Sequence, residues 1–193
     1  MRRMMTAVLS ASVLLIAGCS TPTSPGQTSP GTSSDAGAFL KGHGLSGDAV
    51  KLIDQLEKLG GEDRPTAFTA SVRPDELLLS DGKDEFSMPL PDDQFYLSIA
   101  PYADKTHDCY FHSLTTCQGE LTEKDVHVKI VNKETGDVLV DEEQVTNPNG
   151  FVGFWLPKDV DGTVSVSHEG RAAQQEFSTR DGDATCMTTL KLA

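Results

Sequence analysis

Along residues 46–61 the apolar positions Ala49, Leu52, Ile53, Leu56 and Leu59 recur at helical spacing. Ser46 is the expected N-cap with Asp48 in the first turn, and Gly60-Gly61 the expected stop. A shorter helical segment is expected from Ala36 to Leu40. Residues 66–72, 76–80 and 85–90 then read as short extended runs, punctuated by Pro74, Asp81-Gly82, Pro89 and Pro91. Residues 36–92 therefore form a small α+β unit. Its helix needs a partner surface, which those strands or a second copy of the chain can supply, so a homodimer through this unit is one expectation.

From Asp93 onward the period shortens to two. Phe95, Leu97 and Ile99 alternate with Tyr96, Ser98 and Ala100, and Val126, Val128 and Ile130 alternate with His127 and Lys129. A turn at Thr135-Gly136-Asp137 leads into Val138 and Val140, and Asn147-Pro148-Asn149-Gly150 into residues 151–156 with Trp155. Further strands are expected at Val164 and Val166, at 172–177, and at 186–192, the last placing Cys186, Thr188 and Leu190 on one face, with Cys186 inward at one end of the sandwich core. Short strands separated by turn residues at this spacing indicate a β-sandwich over 93–193, transthyretin-like or Ig-like. The fold class is mainly β: a small α+β N-terminal unit followed by a C-terminal β-sandwich.

The first 35 residues belong to neither unit. Arg2 and Arg3 precede a short apolar run, 7–17, which ends in Leu15-Ile16-Ala17-Gly18-Cys19. This resembles a bacterial lipobox, so residues 1–19 are expected to be a lipoprotein signal with Cys19 the lipidated residue. Residues 20–35 are rich in Ser, Thr, Pro and Gly and form a tether whose ends lie roughly 20 Å apart as a coil. The protein is thus expected to be exported and lipid-anchored on the outer face of the cytoplasmic membrane. The formal charge of the 193-residue chain is −13, and losing the two positive charges of Arg2 and Arg3 takes −13 to −15. Such acidity excludes nucleic acid and anionic lipid headgroups as natural partners.

The chemistry is concentrated in residues 102–120, YADKTHDCYFHSLTTCQGE, which hold Cys109, Cys117, His107 and His112. Soft thiolates with imidazoles suit Cu(I), Cu(II) or Zn(II) rather than a hard cation. Cys186 is the one other cysteine outside the leader, and if it reaches the loop the three sulfurs make a trigonal site suited to Cu(I). Zinc, the weaker candidate, needs a fourth ligand, which His107 or His112 can supply. The competing reading is one disulfide plus a spare thiol, as exported proteins favour disulfides. Elsewhere His43 reads as a loop residue, His127 and His168 as strand residues, and Met187 and Trp155 as core. Asp92-Asp93 and Asp181-Gly182-Asp183 read as turns, lacking the ligand ladder of a calcium loop. No nucleophile elbow, phosphate loop or HExxH motif is present.

Several runs carry a family resemblance: Arg73 through Leu77, Pro91 through Tyr96, Ala100-Pro101-Tyr102, Thr106 through Glu120, Gly150-Phe151, Trp155-Leu156-Pro157 and Thr185 through Leu190. Together they resemble the CueP family of copper-binding proteins of the bacterial cell envelope. The resemblance implies that Cys109, Cys117 and Cys186 are the functional cysteines. It also implies copper storage or delivery outside the cytoplasm, a part in copper tolerance, metallation of an exported superoxide dismutase, and reduction of Cu(II) to Cu(I) at the thiols. A thiol–disulfide exchange protein is a further expected partner. The lipobox and tether depart from better-known members, which carry a plain periplasmic leader.

Overall fold

A computed structural model describes residues 33–193. The leader, Cys19 and residues 20–32 of the tether lie outside the described residues. Helix α1 (Ser33–Gly42) takes in the last residues of the stretch read as tether. Helix α2 (Ala49–Leu56) is shorter than its apolar pattern predicts and starts differently. Asp48, not Ser46, is the N-cap, its carboxylate accepting the Lys51 N–H at 2.9 Å. The helix ends at Leu56, four residues before Gly60, with Glu57 as C-cap. Gly60 has a packing role instead: a side chain there would collide with Pro148.

Strands β1 (Thr69–Val72), β2 (Glu76–Ser80) and β3 (Glu85–Pro89) form an antiparallel sheet in that order. Ala49, Leu52, Ile53 and Leu56 of α2 are buried in one cluster with Val72, Leu77 and Leu79 of this sheet. The apolar face of α2 is therefore covered within the chain, which removes the argument that it needs a second copy. The same cluster takes in Tyr96 and Leu114 from beyond residue 92.

Seven strands follow: β4 (Gln94–Ile99), β5 (Asp125–Asn132), β6 (Val138–Val145), β7 (Val152–Pro157), β8 (Asp161–His168), β9 (Arg171–Ser178) and β10 (Cys186–Met187). They make two sheets, β10-β4-β7 and β6-β5-β8-β9. Phe95, Leu97, Ile99, Phe154 and Leu156 of the first pack against Val126, Val128, Ile130, Val164 and Val166 of the second. This is the predicted sandwich. β4, however, is not half-exposed: every residue from Phe95 to Ile99 is buried. Its second face, with Tyr96 against Trp155 at 4.9 Å between ring centroids, packs on the N-terminal unit. The sheet β10-β4-β7 is thus the middle of three layers.

β10 is only two residues long and runs parallel to β4, with Cys186 opposite Ser98 and Met187 opposite Ile99. Met187, Leu190 and Leu192 enter the sandwich core, whereas Cys186 belongs to a separate cluster with Ala100, Cys117 and Phe151. The expected seven-residue strand with Cys186 and Leu190 on one face is corrected here. The chain leaves β4 after Met187, so two-residue alternation does not carry past it. Cys186 consequently lies not at the end of the sandwich core but on the face of the middle sheet turned away from it.

Leu97→Ala, a cavity at a fully enclosed position (1% exposed), is expected to cost about 2–5 kcal/mol in urea unfolding. Val138→Ala, 53% exposed, is expected to stay within about 0.5 kcal/mol.

Candidate metal centre

The segment between β4 and β5 is held by hydrogen bonds at its neck and along two sides. Its neck is closed by Glu120, whose carboxylate accepts the N–H groups of Ala103 (2.6 Å) and Asp104 (2.9 Å). Its middle lies between β10 and β1. The Cys186 N–H donates to the Tyr110 carbonyl at 3.1 Å, the Val72 N–H to the His112 carbonyl at 2.8 Å, and the Leu114 N–H to the Ala70 carbonyl at 2.9 Å. The Thr185 hydroxyl bridges both neighbours, accepting from the His112 N–H at 3.0 Å and donating to the Val72 carbonyl at 2.6 Å. Leu114, fully buried in the N-terminal core, anchors the far side. A turn from Ser113 to Cys117, closed by the Cys117 N–H on the Ser113 carbonyl at 3.0 Å, then folds Cys117 back beneath Cys109. The chain leaves through Gly119, which passes Gly150 so closely that a Cβ would sit 2.5 Å from the Gly150 carbonyl oxygen.

This path brings four donors together. The sulfurs of Cys109, Cys117 and Cys186 and a ring nitrogen of His112 all lie within 4.8 Å of one another. Cys109 Sγ is 3.2 Å from Cys117 Sγ, and Cys186 Sγ is 3.7 Å from His112 Nδ1. All three cysteines are free thiols. His112, Cys117 and Cys186 are buried, while Cys109 is half-buried. Phe151 closes the apolar side, its ring 4.5 Å from that of His112. On the open side, a groove of about 360 Å³ reaches Cys109 and Cys186 between Tyr110 and the β9 residues Gln175 to Ser178.

The other nitrogen of His112, Nε2, is 2.9 Å from Glu57 Oε2. Burial acts to raise the Glu57 carboxyl and to neutralise His112, but in both cases the partner charge and hydrogen bonds win. Glu57 is held below its ordinary value by the His112 charge and by hydrogen bonds from His112, Ser98 and Asn149. His112 is raised well above its ordinary value by the Glu57 charge and by bonds with Cys109 and Cys117. Among the sulfurs, hydrogen bonds from Cys109 and Cys186, then His112, outweigh burial and hold Cys117 below the ordinary thiol value. Hydrogen bonds with Cys109 and Cys117, then burial, push the Cys186 thiol up. Cys117, the sulfur whose value is lowered, thus lies beside the ring whose value is raised.

His107 is not among the four donors. It lies at the rim, its ring 6.2 Å from that of Phe151 and its Nε2 buried without a hydrogen-bond partner. His43 stacks on Phe39 and Phe68, His127 pairs with Asp141 at 2.9 Å, and His168 Nδ1 contacts the Asp125 carbonyl at 2.7 Å. The Asp183 carboxylate caps its own turn, accepting from the Arg180 N–H and the Ser178 hydroxyl. Glu57 is the site residue that sequence reading missed. Its signal is a charged residue at position 57 on the stripe formed by Ala49, Leu52, Ile53 and Leu56, four residues beyond Ile53.

The family model described as periplasmic copper-binding protein CueP matches residues 51–191. The chain belongs to the CueP family. Among solved structures it resembles the crystal structure of S.CueP, at 41% identity, covering 83% of this chain and 99% of that one, with a TM-score of 0.77. No curated protein matches it. As a member of this family, the chain is an exported, copper-binding protein of the cell envelope, and the Cys109–His112–Cys117–Cys186 cluster is a centre able to hold a metal ion.

The buried pair makes stability depend on pH in a defined way. Glu57, with a lowered folded value, contributes fully above the ordinary 4.5 and loses its contribution as pH falls through the folded value. His112, with a raised folded value, contributes fully below the ordinary 6.5 and loses its contribution as pH rises through the folded value. In thermal melts of reduced, metal-free protein, the gap between wild type and Glu57→Gln is expected to be widest between these limits and to narrow on both sides.

Proposed function

We propose that this protein takes up Cu(I) on the thiolates of Cys109, Cys117 and Cys186, with His112 Nδ1 as a fourth donor. It holds the metal for sequestration or for transfer to an exported cuproenzyme such as a superoxide dismutase. The observation that carries this reading is the convergence of three sulfurs and one imidazole within 4.8 Å. No carboxylate belongs to that donor set, since Glu57 meets His112 from the far side of the ring. Such a soft set favours Cu(I) over hard cations. A Cys3His set also accommodates zinc, and copper is preferred because the family binds copper. The groove beside half-buried Cys109 provides a way in and out, so Cys109 is the sulfur that meets a donor or acceptor first. In this reading Cys19 is lipidated and residues 20–32 keep the domain near the outer face of the cytoplasmic membrane.

The 3.2 Å contact between Cys109 and Cys117 sulfurs favours a second activity of the same site. Two Cu(II) ions each take one electron from this pair, giving two Cu(I) and a Cys109–Cys117 disulfide, with the thiol protons released to water. A thiol–disulfide exchange protein would then restore the thiols.

Reduced protein is expected to bind one Cu(I) tightly against a chromogenic chelator. Serine at Cys109, Cys117 or Cys186 should each weaken binding by more than about 100-fold, given that losing an outer-shell partner alone costs about 10–100-fold. A triple serine variant with unchanged affinity overturns the site. Mixing reduced protein with Cu(II) and counting thiols lost per Cu(I) formed separates the reductase from passive binding, a ratio near zero excluding the reductase. Cys19→Ser should release the protein from the membrane fraction.

A further inference from the structure

Glu57 does more than neutralise its neighbour. We propose that it is a positioning residue that fixes the proton of His112 on Nε2, so that Nδ1 is the nitrogen presented to the three sulfurs. This rests on the copper reading for its purpose, though not for its geometry. Glu57 Oε2 meets His112 Nε2 at 2.9 Å, while Nδ1 on the opposite side of the ring is 3.7 Å from Cys186 Sγ. A carboxylate only accepts, so the nitrogen facing it must carry hydrogen, and the one facing the metal is free to donate its lone pair once its own proton leaves.

The carboxylate is itself held in place by two donors on its other oxygen. Ser98 Oγ donates to Glu57 Oε1 at 3.0 Å and Asn149 Nδ2 at 3.3 Å. The orientation of the Asn149 amide is set in turn, because its Oδ1 accepts the Phe151 N–H at 2.9 Å. Asn149 therefore turns a donor toward position 57. The hydrogen bonds converge on Glu57 with fixed directions, from the Phe151 N–H through Asn149 on one side and from the His112 Nε2–H on the other. Glu57 comes from α2, Ser98 from β4 and Asn149 from the turn before β7, so elements on both sides of the seam orient one ligand.

This directionality makes an isosteric change more damaging than its size suggests. In Glu57→Gln, the donors from Ser98 and Asn149 retain the amide oxygen at the Oε1 position. The amide nitrogen then faces His112 Nε2, which must accept, and the ring proton moves to Nδ1, where it blocks the metal. Glu57→Ala removes the carboxylate without imposing the wrong tautomer. Adding Asn149→Asp to Glu57→Gln turns the new amide round, because a carboxylate in place of the Asn149 amide can only accept. The amide oxygen then faces the ring and the original tautomer returns.

The test uses full-length reduced protein labelled with ¹⁵N-histidine. Long-range ¹H–¹⁵N correlation reads the protonation of each His112 nitrogen without metal, and competition with a Cu(I) chelator reads affinity. Wild type should show a protonated Nε2. Glu57→Gln should show the proton on Nδ1 with affinity lowered about 10–100-fold, a larger loss than in Glu57→Ala. Glu57→Gln/Asn149→Asp should recover both the tautomer and most of the affinity. A residue with only a structural role gives the opposite order, with the truncation worse than the isostere and no rescue. An unprotonated Nε2 in wild type, or Glu57→Gln with Nε2–H retained and wild-type affinity, overturns the proposal, and the wild-type spectrum decides even if the variants fail to fold. Should the tautomer invert while wild type itself binds no Cu(I), the copper reading fails and the positioning role stands.

Discussion

A carboxylate and an imidazole buried against each other, Glu57 and His112, are the constraint around which this molecule is arranged. Removing two ionisable groups from water costs several kcal/mol each, and the cost is recovered only if geometry and remaining hydrogen bonds are nearly complete. Here they are: Glu57 takes bonds from His112, Ser98 and Asn149, and His112 is enclosed by Phe151 and the cysteine cluster. Meeting that requirement fixes where α2 ends, which face of β4 carries a small hydroxyl, and how the Asn147–Gly150 turn is oriented. It also explains why the cysteine segment is bonded to β1 on one side and β10 on the other. A loop held at one end only would not keep the ring against the carboxylate.

The pair has an electrostatic consequence for the sulfurs. Three thiolates within 4.8 Å of one another repel strongly when no metal is present. The site answers by shifting its sulfurs in opposite directions, Cys117 down beside His112 and Cys186 up, so that they do not ionise together. Burial divides the labour further: Cys117 and Cys186 are enclosed, and Cys109 stands at the groove.

The sequence shows the strands most clearly where one face meets solvent. Val126, Val128 and Ile130 of β5 and Val164 and Val166 of β8 lie on the sandwich face as their alternation predicts. The same reasoning misleads wherever a strand is covered twice. Tyr96 and Ser98 read as an outer face because they are polar, yet they carry the contact with the N-terminal unit. β10 is too short for alternation to mean anything beyond Met187, which is why alternation puts Cys186 on the wrong face. At α2, Ser46 and Asp48 are both good caps, and nothing local decides between them; Leu52, Ile53 and Leu56 need a start that turns them toward β2. The cysteines and His112 are legible as soft donors in one loop, with the family resemblance of that loop supporting them. Their convergence with Cys186 depends on a parallel pairing 88 positions apart, Ser98 with Cys186, which no local pattern encodes.

The packing also alters what the shift of pattern near residue 92 means. It marks where the period of apolar positions switches, and chain order makes it look like a boundary between independent units. Energetically the two parts are fused there. Leu114 fills the N-terminal core, Tyr96 joins it from β4, and Ser71 pairs with Ser113 across the join. Each half also lacks something only the other supplies: the N-terminal unit holds the carboxylate without the histidine, and the sandwich holds the histidine without its partner. A buried imidazole facing three sulfurs without Glu57 would lose the group that favours its charge, and a buried Glu57 without His112 would lose the largest factor keeping it ionised. The metal centre is therefore a property of the joint, and any motion that opens the seam between the layers acts on the donor set directly.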